Sequence, residues 1–361
     1  MLYFFLFIWS SISAGVANKF KTQSMAFWIF SLISLMPLLF IGGFRDLTVG
    51  SDTMAYPISS IQLINENNQI SALTNANVEI LYLALAYISV IWFGGDIQTM
   101  LFITNAIIIL TFYWGFVRVR KYTPLGITMF IFLFLFYNMM LSMQRQGIAM
   151  GLVFLAYTFI FRRQLIPFFV LIFIAILFHK SAIASLLTVP CLFSKKTKYN
   201  KYIIFASFFL LIAYNLILQH FTVFNFFAKY ESYSSKGEFS EGGFSNSEFI
   251  LRLIFLIYIY TYSSKELKKK SLFKNITALL ISEFFLNLLQ IHSQFMGRLG
   301  YYIYTLYIIF LPYFIHYNKK KKKSYFPIVS VSVLIIFYWW FVYIYNNSGE
   351  TYPYTSKILG L

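Results

Sequence analysis

The sequence predicts an all-α fold: a polytopic integral membrane protein with about twelve transmembrane helices, plus a helix near 79–93 that lies along or re-enters the outer face. Three observations predict it. Hydrophobic residues make up 59% of the chain and charged residues 11%, a balance soluble domains do not reach. Apolar runs recur along its whole length. Between them, Lys and Arg collect in short clusters, as the positive-inside rule describes.

In chain order, the runs Met25–Phe40, Leu101–Val117, Gly126–Met140, Tyr202–Leu218, Phe249–Tyr260, Thr277–Leu289, Tyr301–Phe314 and Pro327–Tyr345 approach or reach the roughly 20 residues that a bilayer-spanning helix needs. Met1–Val16 has the look of a signal peptide, but no basic stretch precedes it and Lys19 and Lys21 follow it. That charge order favours a retained first helix. With no soluble module between runs, the expectation is a single membrane-embedded domain over 1–361, with exterior loops 44–78 and 220–247 and an exterior tail 346–361. Cys191 is the only cysteine, so a disulfide within the chain is impossible.

The net charge of +17 at pH 7 suggests nucleic acid until its distribution is read. The basic clusters Lys19/Lys21, Arg118/Arg120/Lys121, Arg162/Arg163, Lys195/Lys196/Lys198/Lys201, Lys265/Lys268–Lys270/Lys274 and Lys319–Lys323 fall where cytoplasmic loops are expected. The charge therefore encodes topology rather than a nucleic-acid surface. Placing every cluster inside puts both termini outside and leaves one misfit. If Ile80–Phe93 crossed the membrane, Arg118, Arg120 and Lys121 would be delivered to the exterior. A short apolar stretch with Glu79 before it and Gly94-Gly95-Asp96 after it suits an interfacial or re-entrant helix; the competing reading is an ordinary span that violates the charge rule.

This topology sends four unusual polar groups to the exterior. Arg45, Asp46 and Asp52 follow the second helix. Gln144, Arg145 and Gln146 open the helix that begins near Met143. His179-Lys180-Ser181 interrupts a long apolar stretch, and Gln290, His292, Gln294 and Arg298 close a later span. A charge at the bilayer centre costs about 2.5–3.5 kcal/mol on insertion scales, so such residues are functional candidates. Each also has a plain structural explanation. Arg145 could snorkel to headgroups, Gly147 and Gly151 form a small-residue packing face, and His179 could be a bonded turn residue. Glu283, Asn287, Gln290, Gln294 and Arg298 would share one face if their helix continues, a hydrogen-bond ladder in its deeper half and a site wall in its outer half.

The chain has no glycine-rich phosphate loop ending in Lys-Ser/Thr, no His-Glu-x-x-His and no Gly-x-Ser-x-Gly elbow. Familiar ATPases, zinc proteases and serine hydrolases lose support accordingly. No metal-binding cluster and no cofactor motif is found, although a divalent ion held by Asp46, Asp52 and substrate phosphates stays open. Cationic side chains at an outer membrane face suit an anionic headgroup such as the diphosphate of a lipid carrier, because Arg binds phosphate oxygens bidentately. A carboxylate beside them suits general-base activation of a hydroxyl.

Arg45-Asp46-x-x-Val49-Gly50-Ser51-Asp52-Thr53-x-x-Tyr56, then Glu79-x-x-Tyr82-x-x-Leu85, Arg145-Gln146-x-Ile148-Ala149, Phe178-His179-Lys180-Ser181-Ala182, Arg298-x-x-Tyr301 and a Pro353-Tyr354 tail resemble, in order, the EpsG/Wzy family of polysaccharide polymerases. The resemblance runs over nearly the whole chain; its first motif is specific, and the others gain weight from their order. It implies a membrane glycosyltransferase of the bacterial cytoplasmic membrane, for which a GT-C-like architecture is one form. Such an enzyme joins undecaprenyl-diphosphate-linked oligosaccharide units at the outer face, moving the growing chain to the non-reducing end of the next unit for O-antigen, capsule or exopolysaccharide. The diphosphate already activates the donor, so no cofactor is implied. Partners would be the lipid-linked donor and acceptor, the bilayer, and a flippase and chain-length regulator.

On that resemblance, Arg145 and Arg298, with Lys180 assisting, are expected to hold the diphosphate, alongside Gln146. Asp52 is the first candidate base, ahead of Asp46 and His179. Arg45 is expected to orient Asp46 or another carboxylate, and Tyr56 and Tyr301 to stack on sugar rings. The exterior loop Thr222–Ser247 reads as an acceptor-side cover or a plain linker. Two other classes share these features. A flippase for the same lipid-linked sugars would carry its charges in a central cavity, and a ligase would differ in its acceptor. A membrane acyltransferase, more distant, would rest on His179 alone.

Overall fold

The computed structural model describes residues 1–361 except 68–77, 95, 161–162, 194–196, 222–245, 292–296 and 323–324. All of its regular structure among the described residues is helical. The long apolar runs named above lie in helix, with a turn at Thr305 inside Tyr301–Phe314, and among the described residues five helices are long and apolar enough to cross a membrane: Met25–Gly43, Ile97–Val119, Leu125–Ser142, Ser271–Ile291 and Phe326–Tyr345. The chain separates into two compact units, Met1–Ala182 with Ile315–Leu361, and Ile183–Phe314.

Local signals start the helices where the sequence places them. Ser24 Oγ accepts from Phe27 N–H at 3.2 Å and opens Met25–Gly43. Asp96 Oδ1 accepts from the N–H groups of Gln98 and Thr99 and opens Ile97–Val119. Each satisfies donors that the first turn leaves without intrahelical acceptors.

In the first unit, Leu2–Ala17 packs on Met25–Gly43 and on Leu125–Phe132, while Gln144–Ile160 packs on both Ile97–Val119 and Leu165–Phe178. Small residues set the closest approaches. A Cβ at Gly126 would lie 2.9 Å from Gly15 Cα, and one at Gly151 would lie 2.4 Å from Thr111 Oγ1. The packing face expected of Gly147 and Gly151 is thus turned to Ile97–Val119, the close-contact mode favoured where apolar burial drives little association. Polar rungs tie the same helices together: Ser34 Oγ donates to Ser10 O at 2.7 Å, Tyr113 OH to Ser31 Oγ at 2.6 Å, and Asn105 Nδ2 to Leu38 O at 3.0 Å.

The outer faces of these helices stay apolar. Leu165–Phe178 buries Phe168, Ile172 and Ala175 yet exposes Ile166, Phe169, Val170 and Phe173. An unbroken apolar stripe of that kind is unfavourable in water and natural in lipid. Ile80–Tyr87 continues into a single π-helical stretch, Ile88–Trp92. Together they extend about 20 Å, short of the roughly 30 Å hydrocarbon core.

The C-terminal tail is integrated into this unit. Glu350 O accepts from Gly50 N–H, Gly349 O from Ser51 N–H, and Thr355 O from Asp46 N–H, at 2.8, 3.0 and 3.0 Å. Ser142 Oγ donates to Gly349 O at 2.6 Å, and Asn138 bridges Thr351 Oγ1 and the Trp339 indole. In the second unit, Asn200–Phe221 and Asn246–Tyr262 both pack on Ser271–Leu288.

Candidate active site

Arg45 organises its own loop. Its guanidinium, 1% exposed, donates through Nε to Val49 O at 3.0 Å, through Nη1 to Gly42 O at 2.6 Å, and through Nη2 to Leu141 O at 3.0 Å, with Thr53 Oγ1 at 3.5 Å. The acceptors are carbonyls and a hydroxyl, and the expected pairing of Arg45 with Asp46 is not among these bonds. A buried cation facing the end of one helix and the turn after it is best neutralised by oriented peptide dipoles. Gly50, at φ +99°, lets the turn close beneath it.

Asp46 also acts structurally: its Oδ1 accepts from Lys357 N–H at 3.0 Å, holding the C-terminal tail on the loop, while the Ser356 hydroxyl donates to Phe44 O. Asp52 is half-buried, and its carbonyl accepts from Tyr56 N–H at 3.2 Å. That bond puts Asp52 one turn ahead of the Tyr56 ring.

Around Tyr56 the other motifs meet. The Arg145 guanidinium carbon lies 3.5 Å from the Tyr56 ring centroid, a cation–π contact, so that ring face is covered rather than open to a sugar. Arg145 Nη1 pairs with Glu79 Oε2 at 2.6 Å, and Glu79 Oε1 meets His179 Nδ1 at 3.2 Å. The three side chains are each 10–14% exposed. Burial pushes the Glu79 carboxyl up, but the His179 hydrogen bond and the Arg145 charge outweigh it and hold it at about 2. Tyr82, whose hydroxyl donates to Gln144 Oε1 at 3.3 Å, lies in the combined field of Arg145, Arg45, Asp52 and Glu79. Lys180 is exposed beside His179, and Gln146 is buried.

Arg145, Asp52, Tyr56 and His179 are therefore brought into one neighbourhood. Glu79 stands at its centre and is not among the candidate residues that the sequence singles out. The signal that finds it is a carboxylate standing alone where an exterior stretch meets an apolar helix.

Arg298 and Tyr301 belong to the second unit, which has a polar cluster of its own. Arg252, 1% exposed, pairs with Glu248 Oε2 at 2.9 Å and Glu283 Oε1 at 2.7 Å, with Tyr304 stacked on its guanidinium at 4.2 Å. Asn287 Nδ2 and Tyr301 OH donate to Glu248. Tyr301, expected as a sugar platform, is instead 7% exposed and spends its hydroxyl on a carboxylate. The polar stripe is confirmed in its deeper half, but the helix ends at Leu288 and Arg298 opens a separate 3-10 turn. His292 and Gln294, and most of the loop Thr222–Ser247, lie outside the described residues. Among the described residues no group of three or more His, Cys, Asp or Glu side chains is placed to hold a metal ion.

Comparison with protein-family models matches residues 28–356 to the EpsG family, so the match takes in the Arg45 loop, the Glu79 cluster and most of the tail. The chain belongs to the EpsG family. This is the family of Wzy-type polysaccharide polymerases, and the motifs that suggested it lie in the first unit, Arg298-x-x-Tyr301 excepted. No curated protein and no solved structure matches this EpsG-family chain.

Proposed function

We propose that the protein is a Wzy-type polymerase, a glycosyltransferase that joins undecaprenyl-diphosphate-linked oligosaccharide units at the outer face of the bacterial cytoplasmic membrane. The observation that supports this reading is the Arg145–Glu79–His179 cluster beside Tyr56, with Asp52 one turn ahead of that ring, in the first unit of an EpsG-family chain. Arg145 spends one N–H group on Glu79, and its remaining donors have no partner among the described residues. With the exposed Lys180 ammonium, they are suited to phosphate oxygens and to the charge that develops as a lipid diphosphate departs. Asp52 or His179 accepts the proton of the incoming sugar hydroxyl. The reading uses side chains of the first unit only.

The growing chain leaves its lipid diphosphate for the non-reducing end of the next unit. Apolar helix faces such as that of Leu165–Phe178 offer a surface to the polyprenyl tail. The test is to reconstitute the protein in liposomes with lipid-linked repeat units and resolve the products by size. A ladder is the expected result, and its loss in Arg145→Ala the expected control. Movement of the lipid-linked unit between leaflets without a ladder would identify a flippase instead. Transfer only to an acceptor other than another lipid-linked unit would identify a ligase.

A further inference from the structure

We propose that Glu79 positions His179, and that His179 Nε2, rather than Asp52, takes the proton from the acceptor hydroxyl. The inference rests on the glycosyl-transfer reading and adds the base and the residue that aims it. Both residues are anchored by backbone at a helix end. His179 closes Leu165–Phe178 with extended torsions of φ −158° and ψ 113°, while its N–H still bonds Ala175 O. Glu79 precedes Ile80–Tyr87, and its carbonyl accepts from Tyr82 and Leu83 N–H, each at 3.1 Å. The 3.2 Å contact between Glu79 Oε1 and His179 Nδ1 is thus held from both sides.

The chemistry follows from the donor inventory. An ionised carboxylate only accepts, so the ring nitrogen that faces it carries the hydrogen. In a neutral imidazole the other nitrogen, Nε2, then bears the lone pair. Nε2 has no partner among the described residues. The depressed carboxyl of Glu79 agrees with this assignment. Arg145 on the second oxygen of the same carboxylate keeps it from swinging away, so one side chain links the cation that meets the donor to the ring that meets the acceptor.

In the transfer the acceptor O–H bond breaks and its proton goes to Nε2. The oxygen forms a bond to the donor's anomeric carbon. The bond from that carbon to the diphosphate breaks, and its electron pair leaves with the lipid diphosphate. The imidazolium so formed sits against Glu79, which stabilises it, and returns its proton to water.

The test uses the full chain in liposomes, with lipid-linked repeat units as both donor and acceptor. His179→Ala is expected to lower kcat by roughly 10²–10⁴ with little change in KM, as for loss of a general base. Added imidazole should restore part of that rate, which a structural role for His179 would not allow. Glu79→Gln is expected to lower kcat by roughly 10–100-fold, as for loss of an orienting partner, and to cost nothing further in the His179→Ala background. If Glu79→Gln does not fold, Glu79→Asp takes its place in that comparison. Full additivity of the two substitutions, or failure of imidazole to rescue, would overturn the proposal. So would Asp52→Asn abolishing kcat while His179→Ala stays within tenfold of the native rate. A native protein that makes no ladder would overturn the polymerase reading itself, a separate result.

Discussion

Replacing Arg45 by methionine keeps most of the side-chain volume and removes the guanidinium from a site that water does not reach. Three carbonyls are affected. Val49 O keeps the Thr53 hydroxyl at 2.9 Å, whereas Gly42 O and Leu141 O lose charge-assisted donors at 2.6 and 3.0 Å. Each buried acceptor left without its donor costs about 1–3 kcal/mol, for a sum of roughly 2–6 kcal/mol. Part of this is recovered because a buried cation no longer has to be desolvated, so we expect a net loss of about 3 kcal/mol. For a unit of this size that is on the order of 10 °C in melting temperature. The assay is thermal unfolding of the detergent-purified protein, followed by tryptophan fluorescence, beside the polymerisation rate per folded molecule. Arg45→Met should melt early and, below its transition, keep most of its specific activity. A variant that melts like the native protein but no longer binds the lipid diphosphate would refute the reasoning and return Arg45 to the substrate.

Three further outcomes are expected. Arg252→Met leaves Glu248 and Glu283 facing each other without their shared cation, so it should destabilise the protein by about 3–5 kcal/mol; adding Glu283→Gln should recover part of the loss, and melting curves of the two variants check both. Gly50→Ala forces a side chain onto a backbone at φ +99° and places its Cβ 2.7 Å from Leu141 O, so it should cost about 1–3 kcal/mol and loosen the C-terminal tail, seen as faster hydrogen exchange at the amides of residue 50 and Ser51, which donate to Glu350 O and Gly349 O. Glu79 is held at about 2 against an ordinary 4.5. A depressed carboxylate contributes stability that is complete above its unfolded value and lost as pH falls through the folded one. Melting temperature should therefore drop between about pH 4.5 and pH 2, and the Glu79→Gln variant should show a smaller drop across that window.

Much of the fold was legible along the chain. Runs near the bilayer length mark helices wherever they fall, because a helix in lipid must satisfy its own backbone and cover itself with apolar side chains. Ser24 and Asp96 mark helix starts by their own chemistry. Arg145, His179 and Asp52 stood out because charge next to lipid is costly. The role of Arg45 was not legible, since a cation bonded to carbonyls leaves no trace in residue types: one of its acceptors, Leu141 O, lies 96 positions away. Nor was Glu79, whose partners Arg145 and His179 lie 66 and 100 positions away.

Residue type and spacing along the chain establish a helical membrane protein of the polysaccharide-polymerase family and mark the polar residues that need an explanation. Both are local matters of residue type, spacing and the transfer energy of each side chain between water and lipid. Which partner each of those residues finds is a matter of tertiary packing. Donors and acceptors are assigned in space: the guanidinium of Arg45 donates to backbone carbonyls and one oxygen of Asp46 takes the Lys357 N–H, while Glu79 turns one oxygen to Arg145 and the other to His179. No periodicity along the chain encodes how helices so far apart in sequence are rotated against one another.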